Sequence, residues 1–460
     1  MDRRPTKTDA HVPVDDALLA RARRKVYWRI VPLLFVAYAI AYIDRTNVSF
    51  AKLTMSRELG LDNAQYALGS GFFFFLGYLL LELPGSLIVE RWSARKWISR
   101  IMVTWGVVAM LTAAVTTPRH FYFARFMLGL AEAGFFPGII VYLTHWFSRR
   151  DRARALGYAV LAQPFAYIIG PLLSYPLLRI GTEETGADGV IVRHAELLGL
   201  HGWQWVYIAW GLPAVVLGVL VFFTLSDRPK QARWLADDER AALEAHLAED
   251  RASEGAGVRE YSVFQALRQP AVLLLAAANF LVVIGHYGVD FFLPTILQSW
   301  HGLSLREVTS LVVIPYVGLF FGFLLVSWSS DRTHERWLHA AVPMLVGAAA
   351  LLAATQFRSS VGVTMALLTA AVVGIRIYVP PFYSLPALFL KGTAGAGAIG
   401  FITTIGNLGG AVGPYAIGAI QTSTGSFVGG IVVLCVSIVV SSGILLGLRH
   451  WHRRMLAVSA

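Results

Sequence analysis

Long apolar runs separated by short polar stretches recur along the whole 460-residue chain. A helix of about 20 residues, rising 1.5 Å per residue, crosses a hydrocarbon core of roughly 30 Å. Twelve runs reach that length, predicting spans at about 27–50, 65–88, 98–117, 120–146, 153–178, 203–225, 270–298, 307–329, 338–356, 361–389, 394–420 and 427–448. The runs are continuous rather than alternating, which rules out a β-barrel. The pattern predicts an all-α integral membrane protein, and an even number of spans puts both termini on one face.

Two longer polar stretches interrupt the runs. Ser226 to Arg268 divides the spans into six and six. It contains Asp227-Arg228-Pro229 and a helically spaced run from Leu235 to Arg251, and it predicts a linker carrying a surface amphipathic helix. The domains expected are a head at 1–26, a six-helix bundle at 27–225, the linker at 226–268, a second bundle at 269–448 and a tail at 449–460. Ile180 to Gly202, with Gly181, Gly186 and Gly189, predicts a loop on the opposite face. The halves also echo each other. Glu90, Arg91 and Arg95 follow the second span, and Asp331, Arg332 and Arg336 follow the eighth, 241 residues later. Such an offset suits two tandem units. Acid–base pairs on these turns are expected to gate the two halves by breaking and re-forming.

Composition supports this picture: the chain is 56% hydrophobic and 15% charged. Its net charge of +11 suggests nucleic acid only until the charges are located. The head, the loops after even-numbered spans and the tail hold 29 of the 39 lysines and arginines, against 7 in the loops after odd-numbered spans. That bias places both termini in the cytoplasm, predicts a cell (inner) membrane protein, and leaves no nucleic-acid partner to invoke. No cleavable signal is apparent. The single cysteine, Cys435, sits in an apolar run and reads as a small buried hydrophobe. The histidines lack ligand spacing, so neither a metal nor a cofactor is expected. The glycine-rich stretch Gly392 to Gly413 lacks the ending of a phosphate loop.

Four charges lie within spans of the first half: Asp44, Arg45, Arg125 and Glu132. At mid-membrane a charge costs at least ~2.5–3.5 kcal/mol, so such groups face one another, a wet cavity or a ligand. Asp44 and Arg45 diverge by about 100° on a helix, and each needs its own partner. Arg125 and Glu132, seven apart, share a helix face about 10 Å apart along the axis. Arginine suits a carboxylate because its planar fork binds bidentately and stays charged. Arg45 and Arg125 are therefore candidate anion ligands, and Asp44 and Glu132 a candidate proton-handling pair. A buried ion-pair network that merely fixes packing is the alternative. Tyr38, Tyr42 and Tyr78 have spacing for a cavity wall or for core packing, and Gln163 for a polar contact or for interhelical bonding. In the second half His286, Tyr287 and Arg376 interrupt spans 7 and 10. Gly285, Gly288, Pro294 and Pro380-Pro381 favour broken helices there. Arg376 needs a second carboxylate, a distal group of the solute, or backbone carbonyls. Asn407, among glycines, fits close packing or solute contact.

The run Tyr38 to Asn47 (YAIAYIDRTN), then Arg125 with Gly129 to Gly138 (GLAEAGFFPG), resembles the anion:cation symporter family of the major facilitator superfamily. So do Gly202-Trp203-Gln204-Trp205, Asp227-Arg228-Pro229 and Gly406-Asn407-Leu408-Gly409-Gly410 with Gly413-Pro414. The resemblance covers essentially the whole chain. It departs at Ser93 and Ser148, where the family has glycine and proline, and at Thr403-Thr404, where it often has Asn-Ser. It implies two pseudo-symmetric six-helix bundles and import of an organic anion such as a sugar acid, dicarboxylate or aromatic acid, together with a proton or sodium, by a monomer in the lipid bilayer. It implies the same roles for the four charges. The rivals are a proton-driven exporter, which shares the Gly170-Pro171 pair, and a receptor of transporter shape that moves nothing. No nucleophile–base constellation points to an enzyme.

Overall fold

The computed structural model describes residues 16–185, 191–254, 265, 267–390 and 392–459. Span 1 is a helix over Asp16–Glu58, and span 2 joins Asn63–Ala67 and Phe74–Arg91 through a π-helical turn, Leu68–Phe73. Span 3 is Ala94–Leu111. Span 4 is broken into Pro118–Glu132 and Phe135–Trp146, and span 5 into Arg149–Val160 and Ala162–Leu178. Span 6 is Gly202–Thr224. In the second half, span 7 is Pro270–His301, span 8 runs Leu305–Leu311 and Val313–Thr333, span 9 is Arg336–Ala354, and span 10 begins at Val361–Arg376. Spans 11 and 12 are Gly392–Thr424 and Val428–Ser459. Eleven of these helical stretches are long and apolar enough to cross a membrane.

Side chains sort by environment as a bilayer demands. Phe123, Phe223, Leu325 and Trp328 point outward, exposed, on the perimeter, while Trp105, Trp146, Trp203 and Phe291 fill the interior. Lipid tails are as apolar as leucine, so helices associate through close fit and interior polar bonds.

Two expectations are corrected. Span 7 is one unbroken helix despite Gly285, Gly288 and Pro294, because the glycines seat Ile438 and Leu434 of span 12 against its backbone. Span 10 does break, at Ile377, before the Val379–Phe382 turn that holds Pro380 and Pro381. The Ile180–Gly202 segment is not purely loop: Glu183–Thr185 pairs antiparallel with Ile191–Arg193. Arg193 meets Glu183 at 2.7 Å across that ribbon. The ribbon marks one face of the molecule, the hairpin face, and the linker marks the other.

On the linker face, the linker helix, Asp237–Glu254, packs on span 1. Lys25 bonds Glu239 at 2.8 Å, and Arg29 lies 5.2 Å over the Trp234 ring, which itself stacks on Trp146. The linker is thus fastened to the first half. The two halves are bonded to each other elsewhere. Toward the hairpin face Lys52 donates to Thr295 at 3.1 Å, the Ala64 amide donates to Thr422 at 3.0 Å, and Asn63 bonds Gln421. Among the described residues, the hydrogen bonds joining the halves lie at the hairpin face or near mid-depth, which makes this a hairpin-face-closed conformation.

Candidate functional site

The break in span 4 positions the first charged group. Gly134 has φ +81°, a left-handed turn that favours glycine, and Pro137 cannot continue the hydrogen-bond ladder. Glu132 is therefore the last residue of its helix, where the partial negative charge of the helix end disfavours a carboxylate. Arg45 of span 1 compensates, with its Nη2 2.9 Å from Glu132 Oε2. Its guanidinium also lies 5.2–5.5 Å from the ring centres of Tyr78, Phe74 and Tyr42, and Tyr287 completes its surroundings. Beside this pair, spans 2 and 4 almost touch. Gly129 lies against the Phe74 carbonyl, where any Cβ would overlap it.

Arg125 and Asp44 sit behind this pair. Both are fully buried. Asp44 accepts one bond, from Asn47 Nδ2 at 3.1 Å, and its second oxygen has no partner. Arg125 packs 4.9 Å over Phe74, and none of its three guanidinium nitrogens finds an acceptor. Asp44 faces Glu132, Arg125 and Arg45 at once. The site is thus layered: the Arg45 side chain keeps 14% of its surface exposed and Glu132 3%, with a dry Arg125–Asp44 layer beyond.

The remaining candidates divide. Tyr38 and Tyr42 meet edge to face at 4.9 Å, Tyr38 packing also on Phe135 and Phe136, so the first of these tyrosines is a wall rather than a free hydroxyl. Tyr287 packs on Phe75 of span 2 and on His286, whose Nδ1 has no partner. Gln163 is half-buried and makes no hydrogen bond among the described residues. Asn407 donates at 3.3 Å to Glu82 of span 2.

Arg376 belongs to a separate cluster. It pairs with Asp290, both nearly sealed, and donates at 2.7 Å to the hydroxyl of Tyr167 in span 5. Tyr167 donates to Asp290 at 3.2 Å and stacks 4.3 Å from Tyr316, which donates to the other Asp290 oxygen at 3.0 Å. Tyr167 is from the first half and the other three from the second, so this cluster spans the interface.

Reading the sequence missed Glu82 and Asp290, although each is a lone charge within a predicted span and meets the criterion that marked Asp44, and it missed Lys52, which lies just past the predicted end of span 1 beside Arg57 and Glu58. It also missed Asn279, which ties Tyr378 and Tyr383 to the Ile402 carbonyl. The expected turn pairs need correction. Asp331 is exposed and makes no ion pair among the described residues, and Arg332 lies over Trp328. Arg336 opens span 9, likewise with no ion pair among the described residues, and the acid that acts on this turn is Glu335, bonded to Arg449 at 3.2 Å and Arg453 at 3.0 Å. Arg95 is held by Asp227 through its amide at 2.9 Å. The side chains of Glu90 and Arg91 lie outside the described residues.

The model of the Major Facilitator Superfamily matches residues 34–414. The chain belongs to that superfamily. Among its relatives, a putative tartrate transporter of Agrobacterium vitis is 41% identical over 91% of this chain and 89% of its own length. A quinolone resistance transporter of Acinetobacter baumannii is 38% identical, covering 92% and 93%. The inward open structure of the Escherichia coli xylose transporter XylE superimposes with a TM-score of 0.70, at 12% identity, over 91% of this chain and 96% of that one. This membership makes the chain a membrane transporter rather than an enzyme, with two six-helix bundles.

Proposed function

We propose that the chain is a proton-coupled symporter that imports an organic carboxylate by alternating access. The observation that carries this reading is the layered pair of arginines: Arg45 bonded to Glu132 at the wet edge, and Arg125 fully buried without an acceptor. Glu132 and an incoming carboxylate compete for one guanidinium. A proton on Glu132 releases Arg45 to the cargo, and loss of that proton reclaims it. Anion and proton therefore bind together and leave together, the linkage a symporter requires. Asp44, which faces Arg125 without bonding it, is proposed as a second proton site beside that guanidinium. Tyr78, Tyr42, Tyr287, Asn407, Gln163 and His286 are proposed around the cargo. Arg376, neutralised by Asp290, is assigned to the interface instead.

The linker face is proposed as cytoplasmic, in the cell (inner) membrane, with bundles at 27–225 and 269–448 joined by 226–268, working as a monomer. The named relative that handles tartrate supports a hydroxylated or simple carboxylate as cargo. Proteoliposomes made acid outside test the reading. Wild-type protein is expected to accumulate a labelled carboxylate above equilibrium, and Glu132→Gln only to equilibrate it. Accumulation by Glu132→Gln, or no carboxylate flux at all, overturns it. The relative named for quinolone resistance favours one competing reading, export, and the direction of net flux under a fixed proton gradient decides between them.

A further inference from the structure

Glu82 has no part in the scheme above, yet it is a carboxylate within a span, 7% exposed, next to an anion receptor. One of its oxygens accepts from Asn407 at 3.3 Å, across the two halves; the Thr404 hydroxyl is also close, and the second oxygen lacks a partner at good hydrogen-bond geometry. It stands four residues after Tyr78, so both occupy one helix face, and Tyr78 is the ring beneath Arg45. Four residues correspond to about 6 Å along the axis. Arg45, over the Tyr78 ring, and Glu82 thus stand along one strip of span 2, a cation and a carboxylate with about one helical turn of that strip between their anchoring positions.

An anion receptor gains nothing from a neighbouring carboxylate unless the cargo brings a hydrogen-bond donor to it. A buried acceptor left unpaired costs about 1–3 kcal/mol, more for a charged group. The same carboxylate repels a second negative charge placed at that end. We propose that Glu82 is a specificity residue: it accepts hydrogen bonds from hydroxyl groups on the part of the cargo remote from the carboxylate held by Arg45, selecting hydroxy acids over their deoxy analogues. Because Asn407 is on span 11 and Glu82 on span 2, a hydroxyl seated there also touches both halves.

The proposal rests on the organic-anion reading, and the test separates the two. Binding to purified full-length protein is measured by calorimetry with matched monocarboxylate pairs that differ at positions remote from the carboxylate: gluconate and hexanoate, 4-hydroxybutyrate and butyrate, 4-hydroxyphenylacetate and phenylacetate. Wild type is expected to bind the hydroxylated member of at least one pair tenfold or more tighter. Glu82→Gln and Glu82→Ala are expected to shrink that ratio to threefold or less while leaving deoxy-acid affinity within threefold. A ratio near one in wild type, or a ratio retained in both variants, overturns the role of Glu82 alone. Equal loss for both members assigns Glu82 to packing and also overturns it. Binding of none of the acids overturns the organic-anion reading itself.

Discussion

Replacing Tyr167 with phenylalanine removes one oxygen from the contact between the halves and leaves its ring stacked on Tyr316. That oxygen accepts from Arg376 at 2.7 Å and donates to Asp290 at 3.2 Å. Hydrogen bonds to charged groups contribute about 1.5–3 kcal/mol each. Arg376 and Asp290 keep each other, and Asp290 keeps Tyr316, so the net loss is taken as about 2 kcal/mol rather than the sum. When the hairpin face opens, Tyr167 parts from the other three and water replaces it, so the loss falls on the closed conformation alone. The equilibrium then shifts toward the open state by about 30-fold, at 1.4 kcal/mol per factor of ten. The assay uses Cys435→Ser protein with a single cysteine at Thr295, which meets Lys52 across the interface. Its labelling rate with a hydrophilic maleimide in nanodiscs is expected to rise by one to two orders of magnitude in Tyr167→Phe. Asp290→Asn, which strands a buried guanidinium, is expected to raise it further. An unchanged rate in both variants, at unchanged Tm, refutes the assignment of this cluster as the closing contact.

Proton linkage has its own signature in binding: if Glu132 takes up one proton with the anion, Kd rises about tenfold per pH unit above the loading range, and Glu132→Gln lowers that slope by one. Titration calorimetry at pH 6, 7 and 8 checks the slope, and an unaltered one contradicts the assignment. Gly129→Ala places a methyl group on the Phe74 carbonyl, so spans 2 and 4 must separate; overpacking of this kind costs about 1–3 kcal/mol and is expected to lower Tm by several degrees. On the linker, the bond from Lys25 holds the Glu239 carboxyl below the usual range. A lowered value means the contact contributes fully above the unfolded pKa and is lost as pH falls through the folded one. Hydrogen exchange in Asp237–Glu254 is therefore expected to be flat from pH 8 to 5 after correction for intrinsic rates, and to accelerate below about pH 4. Glu239→Gln should be faster from pH 8 to 5, by a modest factor that fits ~0.2–1 kcal/mol for a partly exposed pair, and should converge with wild type at the acid end.

The spans were legible because a bilayer imposes one length and one composition on every crossing element. The four charges of the first half were legible for the same reason, since apolar surroundings leave a charge nowhere to hide. Their partners were not. Sequence spacing fixes which residues share a helix face, as with Arg125 and Glu132, but not which helix lies opposite. That Arg45 of span 1 meets Glu132 of span 4 is a matter of tertiary packing that no periodicity reveals. Arg376 illustrates the converse: its partner Asp290 is 86 residues away in a different span, and only the packing of spans 7, 8 and 10 against Tyr167 brings the four groups together. Span 7 stayed whole for a similar reason. Glycine weakens an isolated helix, but where a neighbour fills the space it serves close packing instead.

The linker-face turns show what the halves are built to do. In the first half, the acid is past span 6: Asp227 accepts from the Ser93 hydroxyl at 2.7 Å and from the Arg95 amide at 2.9 Å, on the turn between spans 2 and 3. In the second, the acid is on the corresponding turn: Glu335 accepts from Arg449 and Arg453 at the end of span 12. The joint is the same and the signs are exchanged. Each bracket closes within its own half, and among the described residues the linker helix is fastened to the first half. These contacts therefore need not break when the halves move; they keep each bundle rigid. The contacts that must break are those between bundles, the Tyr167 cluster and Lys52–Thr295 at the hairpin face, with Glu82–Asn407 at mid-depth. On the proposed reading, a cargo that supplies its own hydrogen bonds to Glu82 and its own charge to Arg45 replaces contacts on both sides of that interface, so that binding at the centre would bias a rigid-body motion at the faces.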